Sequence, residues 1–180
     1  VYKIPILSPE ESLILLRTLA PEVIAGYPAE SAELVRDLEG LPLALHVAGR
    51  LLHAEAAFGW GVDALLAELR EGTRLLESQA PADRSEIALE TTPTIAALLR
   101  RSVERIPDEM QERFALLGVF APKPATFALP ALDAVWEIDD VRPTVRLFVD
   151  RGLLEPAKMG HFQMHALLVM LAKSMVEGLA

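Results

Sequence analysis

The four histidines, at positions 46, 53, 161 and 165, are side chains that could either bind a metal or donate a hydrogen bond to an anion. Their spacing fits neither a zinc finger nor a zinc protease. The sequence contains no cysteine, which excludes disulfides, thiolate metal sites and cysteine nucleophiles together. It also lacks a GxSxG nucleophile motif. We therefore predict no metal site and no catalytic residue.

The sequence also lacks a phosphate-binding loop of the GxxxxGK type, in which glycines let backbone amides approach phosphate and a lysine reaches its terminal groups. None of the four lysines, at positions 3, 123, 158 and 173, follows a glycine. The acidic segment 137–140 could hold magnesium at the end of a strand, but residues 132–136 before it have a helical pattern. We interpret this segment as a solvated helix end, and we expect no nucleotide hydrolysis by this chain alone.

The composition is that of a folded protein, with 52% hydrophobic and 24% charged residues among 180. This length suits two small domains. No apolar stretch approaches the roughly 20 residues of a membrane span, and no secretory signal begins the sequence. We therefore expect a cytoplasmic protein without a membrane partner, and the lack of cysteine agrees with that compartment.

The net charge of −9 is concentrated in the first half of the sequence. Residues 1–92 carry 7 basic and 15 acidic side chains, whereas residues 93–180 carry 10 and 11. Neither half provides the concentrated positive charge on which non-specific nucleic-acid binding depends. A nucleic-acid partner is therefore not expected.

In the first half, Val1–Leu7 has the alternating pattern of a strand, whose sheet we expect to lie in a segment upstream of this chain. Ser8 and Glu11 predict a capping box before the first helix. The third of the predicted helices is apolar nearly all round and is expected to be central in its domain. Trp60 is expected to be buried in the core, as is Trp136 further along. The predicted helices cover residues 9–20, 29–39, 42–58 and 60–71.

Residues 79–92, with proline and mixed charges, are interpreted as a connector between domains at 1–78 and 93–180. Two short strands, at 153–156 and 161–164, are predicted to form a hairpin. Helices followed by a short hairpin are the element order of a winged helix, here with an additional C-terminal helix. The helices predicted in this half cover residues 94–105, 107–120, 129–136, 141–151 and 165–177.

Several segments resemble one family, and they occur in the order found in that family. In the first half they are Leu7-Ser8 with Glu10-Glu11, Gly-Leu-Pro-Leu-Ala at 40–44, which opens the apolar helix, and Trp60 with Leu65 and Leu69. In the second half they are residues 102–107, residues 116–120 and Phe-Gln-Met-His-Ala-Leu-Leu at 162–168. The sequence is similar to the NB-ARC signalling ATPases, also described as signal-transduction ATPases with numerous domains (STAND). The resemblance covers nearly the whole chain except the connector. It implies a mainly α protein with a four-helix ARC-type bundle at 1–78 and a winged-helix domain at 93–180.

In that family, adenine nucleotide lies between a P-loop ATPase domain and the two domains that this chain resembles. The resemblance implies that Pro42 packs against the adenine and that His165 contacts the β-phosphate of ADP, which holds a closed, inactive state. Leu41 and His46 complete the set of nucleotide-binding residues that we predict. Ala166 departs from the family, which usually has an aspartate there, whose carboxylate can hold the surroundings of the histidine in place by hydrogen bonding.

The function implied by the resemblance is that of a non-catalytic regulatory arm, which closes on bound ADP and moves away when ATP replaces it. The partners implied are an upstream P-loop ATPase domain of the AP-ATPase type and a downstream repeat or effector domain. ADP or ATP with magnesium is the expected cofactor of the parent protein. The chain alone is expected to bind nucleotide weakly or not at all.

Two other functions remain open on the sequence. In the first, the winged helix is the DNA-binding module of a transcriptional regulator, because Arg142, Arg146 and Arg151 lie on the helix that would enter the major groove. Acidic residues among these arginines would repel phosphate and offset much of the attraction. In the second, the chain is an interaction module that couples an ATPase to repeats without sensing nucleotide.

Overall fold

The computed structural model of the chain describes residues 6–78 and 93–177. These residues are mainly helical and include one small antiparallel sheet. The prediction of a mainly α fold, with a helical bundle followed by a winged-helix arrangement, is thereby confirmed. The described chain divides into a first unit, residues 6–78 and 93–98, and a second unit, residues 99–177. The predicted connector lies outside the described residues, and the predicted domain boundaries stay predictions.

Proline begins most helices of the first unit. A proline stands in the first turn of each of the first four helices, where its fixed φ suits the helix and its missing N–H costs no hydrogen bond. The predicted helices are confirmed with different ends, and α2 fills a segment that the sequence left without an element. The helices are α1 (Pro9–Leu19), α2 (Pro21–Gly26), α3 (Pro28–Asp37), α4 (Pro42–Glu55), a 3-10 turn (Ala56–Phe58) and α5 (Val62–Ser78).

The predicted capping box at the start of α1 is confirmed. The Ser8 hydroxyl accepts a hydrogen bond from the Glu11 backbone N–H at 3.2 Å, and the Glu11 carboxylate accepts one from the Ser8 N–H at 2.8 Å. The second of these hydrogen bonds lowers the pKa of Glu11. Most of the predicted N-terminal strand, residues 1–5, lies outside the described residues, and Ile6 and Leu7 are not part of a strand.

The helix α4 is central to the first unit, as its apolar sequence predicts. It packs against α1, which also contacts α2 and α3, while α3 packs against α5. The close approach of α1 and α4 depends on Gly49, where an added Cβ would lie 2.7 Å from the Leu19 side chain. Burial stabilises the fold by about 1.5–3 kcal/mol for each side chain of leucine size. The buried apolar side chains of α4 are Leu43, Ala44, Leu45, Val47, Ala48, Leu51 and Leu52.

The second unit begins within α6 (Pro93–Glu104), of which residues 99–104 belong to it. Four of the five helices predicted in this half are confirmed. The one predicted at 107–120 ends as an α-helix at Leu116 and continues as a 3-10 turn. The remaining elements are α7 (Asp108–Leu116), the 3-10 turn (Leu117–Val119), β1 (Phe127–Ala128), α8 (Leu129–Trp136), α9 (Arg142–Asp150), β2 (Glu155–Pro156), β3 (His161–Gln163) and α10 (Ala166–Glu177).

The predicted hairpin is confirmed and belongs to a three-stranded antiparallel sheet in the order β1-β3-β2. Phe127 of β1 pairs with Phe162 of β3, and Glu155 of β2 pairs with Gln163 of β3. β1 was not expected from the sequence, because a strand of two residues produces no alternating pattern. Its position is fixed by stacking of the Phe127 ring on that of Phe120, with centroids 4.2 Å apart.

The two tryptophans have different environments. Trp136 is buried, as expected, and its indole N–H donates to the Arg113 carbonyl at 2.8 Å. It lies edge-on to Phe148, with ring centroids 5.8 Å apart. Trp60 is 43% exposed, so the expectation of a core residue is wrong for it. It precedes α5 on a short loop, where its ring lies beside the exposed ring of Phe58.

Candidate functional site

The four residues predicted to contact nucleotide lie at the starts of two helices. Leu41, Pro42 and His46 are brought together by the first turn of α4, in the first unit. His165 directly precedes α10, in the second unit. Each site is described below within its own unit.

The backbone before α4 is held in a left-handed conformation. Glu39 and Gly40 have φ values of 52° and 67°. A Cβ at Gly40 would overlap the carbonyl oxygen of Leu7, whose N–H donates to the Gly40 carbonyl at 2.9 Å. This position therefore requires glycine, both for its φ and for the close approach of the Leu7 segment. The Gly-Leu-Pro turn is thus fixed in place by its backbone.

The start of α4 presents an apolar surface. Leu41 is the N-cap residue, with extended backbone and no side-chain capping bond, and its carbonyl accepts from the Leu45 N–H at 3.0 Å. Pro42 occupies the first helical turn, and both residues are half-buried. His46 follows one turn later and is also half-buried. The turn therefore offers a rigid, partly exposed hydrocarbon face rather than hydrogen-bond donors.

His165 is the N-cap residue of α10. Its carbonyl accepts hydrogen bonds from the N–H groups of Leu168 and Val169 at 3.0 and 3.1 Å. Its ring Nδ1 lies 3.2 Å from the backbone nitrogen of Leu167, which donates to it. A side chain that accepts from the first-turn N–H groups is the defining feature of an N-cap. The prediction that the last helix starts at this histidine is therefore accurate to one residue.

The capping bond fixes the tautomer of His165. A neutral imidazole that accepts at Nδ1 carries its proton on Nε2. The side chain is only 9% exposed. Within residues 6–78 and 93–177, the ring makes no hydrogen bond through Nε2. Nε2–H is therefore an uncommitted donor of a largely buried ring, at the N-terminal end of a helix, where the dipole is positive.

Electrostatics keep this imidazole neutral. The pKa of His165 is lowered from its ordinary value of 6.5, mainly by burial and then by the positive charge of Lys123, while Glu155 acts in the opposite direction. Burial lowers the pKa of a histidine because the charged form loses its hydration. At neutral pH the ring is therefore uncharged and donates through Nε2.

Two charged side chains stand close to this histidine. The Lys123 ammonium nitrogen lies 2.8 Å from a Glu155 carboxylate oxygen, and the Gln163 amide nitrogen donates to the other oxygen at 3.1 Å. The Lys123 backbone N–H donates to the Met164 carbonyl at 2.8 Å, which places this lysine beside the residue that precedes His165. These residues were not predicted as site residues. Lys123 and Glu155 are 32 positions apart, so no local pattern could have paired them.

Comparison with known proteins finds one similarity over nearly the full length. The chain is 24% identical over 173 residues to the regulatory protein AfsR of Streptomyces coelicolor (strain ATCC BAA-471 / A3(2) / M145). The match covers 96% of this chain and 16% of AfsR, so the chain spans about one sixth of the length of that protein. No family model matches the chain.

The helix α9 carries the arginines on which the DNA-binding alternative depends. The Arg142 guanidinium lies 2.8 Å from an Asp140 carboxylate oxygen, which also accepts from the Arg142 backbone N–H at 3.1 Å. These hydrogen bonds lower the pKa of Asp140 and raise that of Arg142. Arg146 is exposed, and Arg151 is half-buried. The positive charge at the start of α9 is therefore compensated within the unit.

Metal and membrane sites were also sought in the described part of the chain. Residues 6–78 and 93–177 contain no group of three histidine, aspartate or glutamate side chains arranged to hold a metal ion. Within the same ranges, no helix combines the length and the apolar character needed to cross a membrane.

Proposed function

We propose that this chain is the non-catalytic regulatory part of an NB-ARC-type signalling ATPase. Its two helix starts contact ADP, or ATP with magnesium, that is held by a P-loop ATPase domain. The observation that carries the proposal is the geometry of His165, whose Nδ1 caps α10 and whose Nε2–H makes no hydrogen bond within the described residues. The similarity to a protein described as regulatory, over 96% of this chain, supports a regulatory role.

In this proposal His165 recognises the β-phosphate. A neutral Nε2–H donates to a phosphate oxygen without first having to lose or gain a proton. The N-terminus of α10 adds a favourable dipole and further backbone donors. A hydrogen bond to a charged group contributes about 1.5–3 kcal/mol, which is enough to bias a conformational equilibrium between two states.

Pro42 and Leu41 recognise the purine in this proposal. The proline ring is rigid and half-exposed at the start of α4, and a flat aromatic base can pack on such a surface without an entropic penalty from side-chain rotamers. His46 lies one turn further along the same helix and extends the surface. The Gly40 turn keeps this surface in a constant position.

The proposal explains switching by differential affinity. A ligand shifts a conformational equilibrium only as far as its affinities for the two states differ. His165 contacts the terminal phosphate of ADP, whereas ATP presents a further phosphate and magnesium at this position. The state that uses the His165 contact is therefore favoured by ADP and weakened by ATP. The ATPase domain and a downstream effector or repeat domain are the partners that this switch requires.

The test measures the rate of ADP release from the whole protein in which this chain occurs. We expect His165→Ala to release ADP about 10- to 100-fold faster, because it removes a hydrogen bond to a charged group. His53→Ala is the matched control, since His53 is an exposed histidine of α4 and should leave the rate unchanged. An unchanged release rate for His165→Ala would refute the proposal and would favour a module that does not sense nucleotide.

A further inference from the structure

The ion pair between Lys123 and Glu155 offers a second group for the phosphate site. It joins the loop before β1 to β2, and β2 lies beside the strand that leads to His165. The Lys123 backbone N–H donates to the carbonyl of Met164, the residue before His165, at 2.8 Å. This hydrogen bond places the ion pair in the neighbourhood of the histidine.

The lysine is held where it can contact such an anion. Its backbone is anchored by the hydrogen bond from its N–H to the Met164 carbonyl. Its side chain is 37% exposed and that of Glu155 is 38% exposed, so a ligand can approach both. A lysine ammonium is a compact charge on a flexible stem with three donors. It can turn from a carboxylate to a phosphate while its backbone stays in place.

The glutamate is held more firmly than the lysine. One carboxylate oxygen accepts from Lys123, and the other accepts from the Gln163 amide of the paired strand β3. When a phosphate binds the Lys123 ammonium, Glu155 keeps its hydrogen bond from the Gln163 amide. Glu155 is therefore a fixed negative charge, which competes with an incoming phosphate for the same ammonium and also repels it.

We propose that Lys123 is a second phosphate-binding residue of this site and that Glu155 is a built-in competitor that limits its affinity. This inference rests on the proposed function, because it takes the phosphate to lie at His165. The recognised chemistry is that of a diphosphate group: one oxygen accepts from the His165 Nε2–H and another from the Lys123 ammonium. Removing the competitor should strengthen binding, whereas removing the lysine should weaken it.

The experiment titrates the 180-residue chain with pyrophosphate up to the millimolar concentrations at which weak binding is still measured, and it follows the backbone amide signals of α10 by NMR in every variant. Glu155→Gln removes the competing charge and keeps one acceptor oxygen, and we expect it to tighten pyrophosphate binding about 3- to 10-fold. Lys123→Met should weaken binding by a similar factor, and Lys123→Arg should largely retain it. When Lys123→Met is also present, Glu155→Gln should increase the affinity for pyrophosphate by a smaller factor, because no ammonium remains for which Glu155 and the phosphate could compete. Lys158→Met, an exposed lysine of the hairpin turn, is the control and should have no effect.

The outcomes separate this inference from the proposed function. If His165→Ala weakens pyrophosphate binding but Lys123→Met and Glu155→Gln leave it unchanged, the roles of Lys123 and Glu155 are wrong and the proposed function stands. If His165→Ala has no effect, the proposed phosphate contact itself fails. The absence of a saturable shift of the α10 amide signals in the unmodified chain would overturn the inference. Circular dichroism of each variant shows whether its fold is intact, and Lys123→Arg keeps the test decisive if Lys123→Met unfolds.

Discussion

The segments that begin α4 and α10 both fix the N-terminus of a helix, but one does so through its backbone conformation and the other through a side-chain hydrogen bond. At α4 a left-handed glycine and a proline set the backbone, and the N-cap leucine makes no side-chain hydrogen bond. At α10 a histidine side chain caps the helix, with a lysine and a glutamate in electrostatic reach. The N-terminus of α4 is therefore a rigid apolar surface, whereas the N-terminus of α10 has a hydrogen-bond donor and charged side chains.

The comparison predicts first that the α4 start depends on its backbone. Gly40→Ala should lower the free energy of unfolding by about 2–5 kcal/mol, since the left-handed φ costs alanine about 1–2 kcal/mol and overpacking adds about 1–3 kcal/mol. Chemical denaturation followed by circular dichroism measures this change. Gly26→Ala is the control, because a Cβ there meets no atom within 4 Å. Equal stability of the two variants would show that the turn is not fixed as described.

The α10 start should depend instead on its side chain. His165→Ala removes the capping acceptor and should lower the free energy of unfolding by about 1 kcal/mol. Asparagine places an acceptor where Nδ1 lies and leaves the position of Nε2 empty, so His165→Asn should recover most of this loss. Chemical denaturation of the two variants and of the unmodified chain measures these differences in the free energy of unfolding. If the asparagine variant is as unstable as the alanine variant, capping is not what this histidine contributes.

The charge at the α10 start also predicts a pH dependence. The pKa of His165 is lowered in the folded chain, so the unfolded chain binds a proton more readily and stability rises with pH. The stabilisation is present above the ordinary value of 6.5 and is lost as pH falls through the lower folded value. The unmodified chain should thus lose more stability than His165→Asn on acidification. Unfolding measured on both sides of that range tests the difference, and parallel losses would contradict it.

Much of the fold could be predicted because its signals are local. Proline in the first turn marks four helix starts of the first unit, and the capping box at Ser8 and Glu11 is a pattern of four residues. The position of His165 at a helix start also follows from the change of period along the chain. These features depend on neighbours in sequence, which a single sequence displays.

The rest of the site depends on contacts between distant segments. Lys123 and Glu155 meet only because β2 pairs with β3 and the Lys123 backbone bonds to the residue after that strand. The two-residue strand β1 is too short to produce a periodic pattern, and Trp60 lies on a loop whose exposure depends on how the chain turns at Gly59. The sequence alone predicts neither the tautomer of His165, which follows from its bond to the Leu167 N–H, nor its lowered pKa, which follows from burial and the two nearby charges.

The most direct test of the central claim is ADP release from the whole protein carrying His165→Asn. This variant keeps the cap of α10 and lacks only the donor at Nε2. The account predicts release about as fast as from His165→Ala, although stability is close to that of the unmodified protein. ADP release at the unmodified rate, from a stable His165→Asn protein, would contradict the claim that Nε2–H holds the nucleotide.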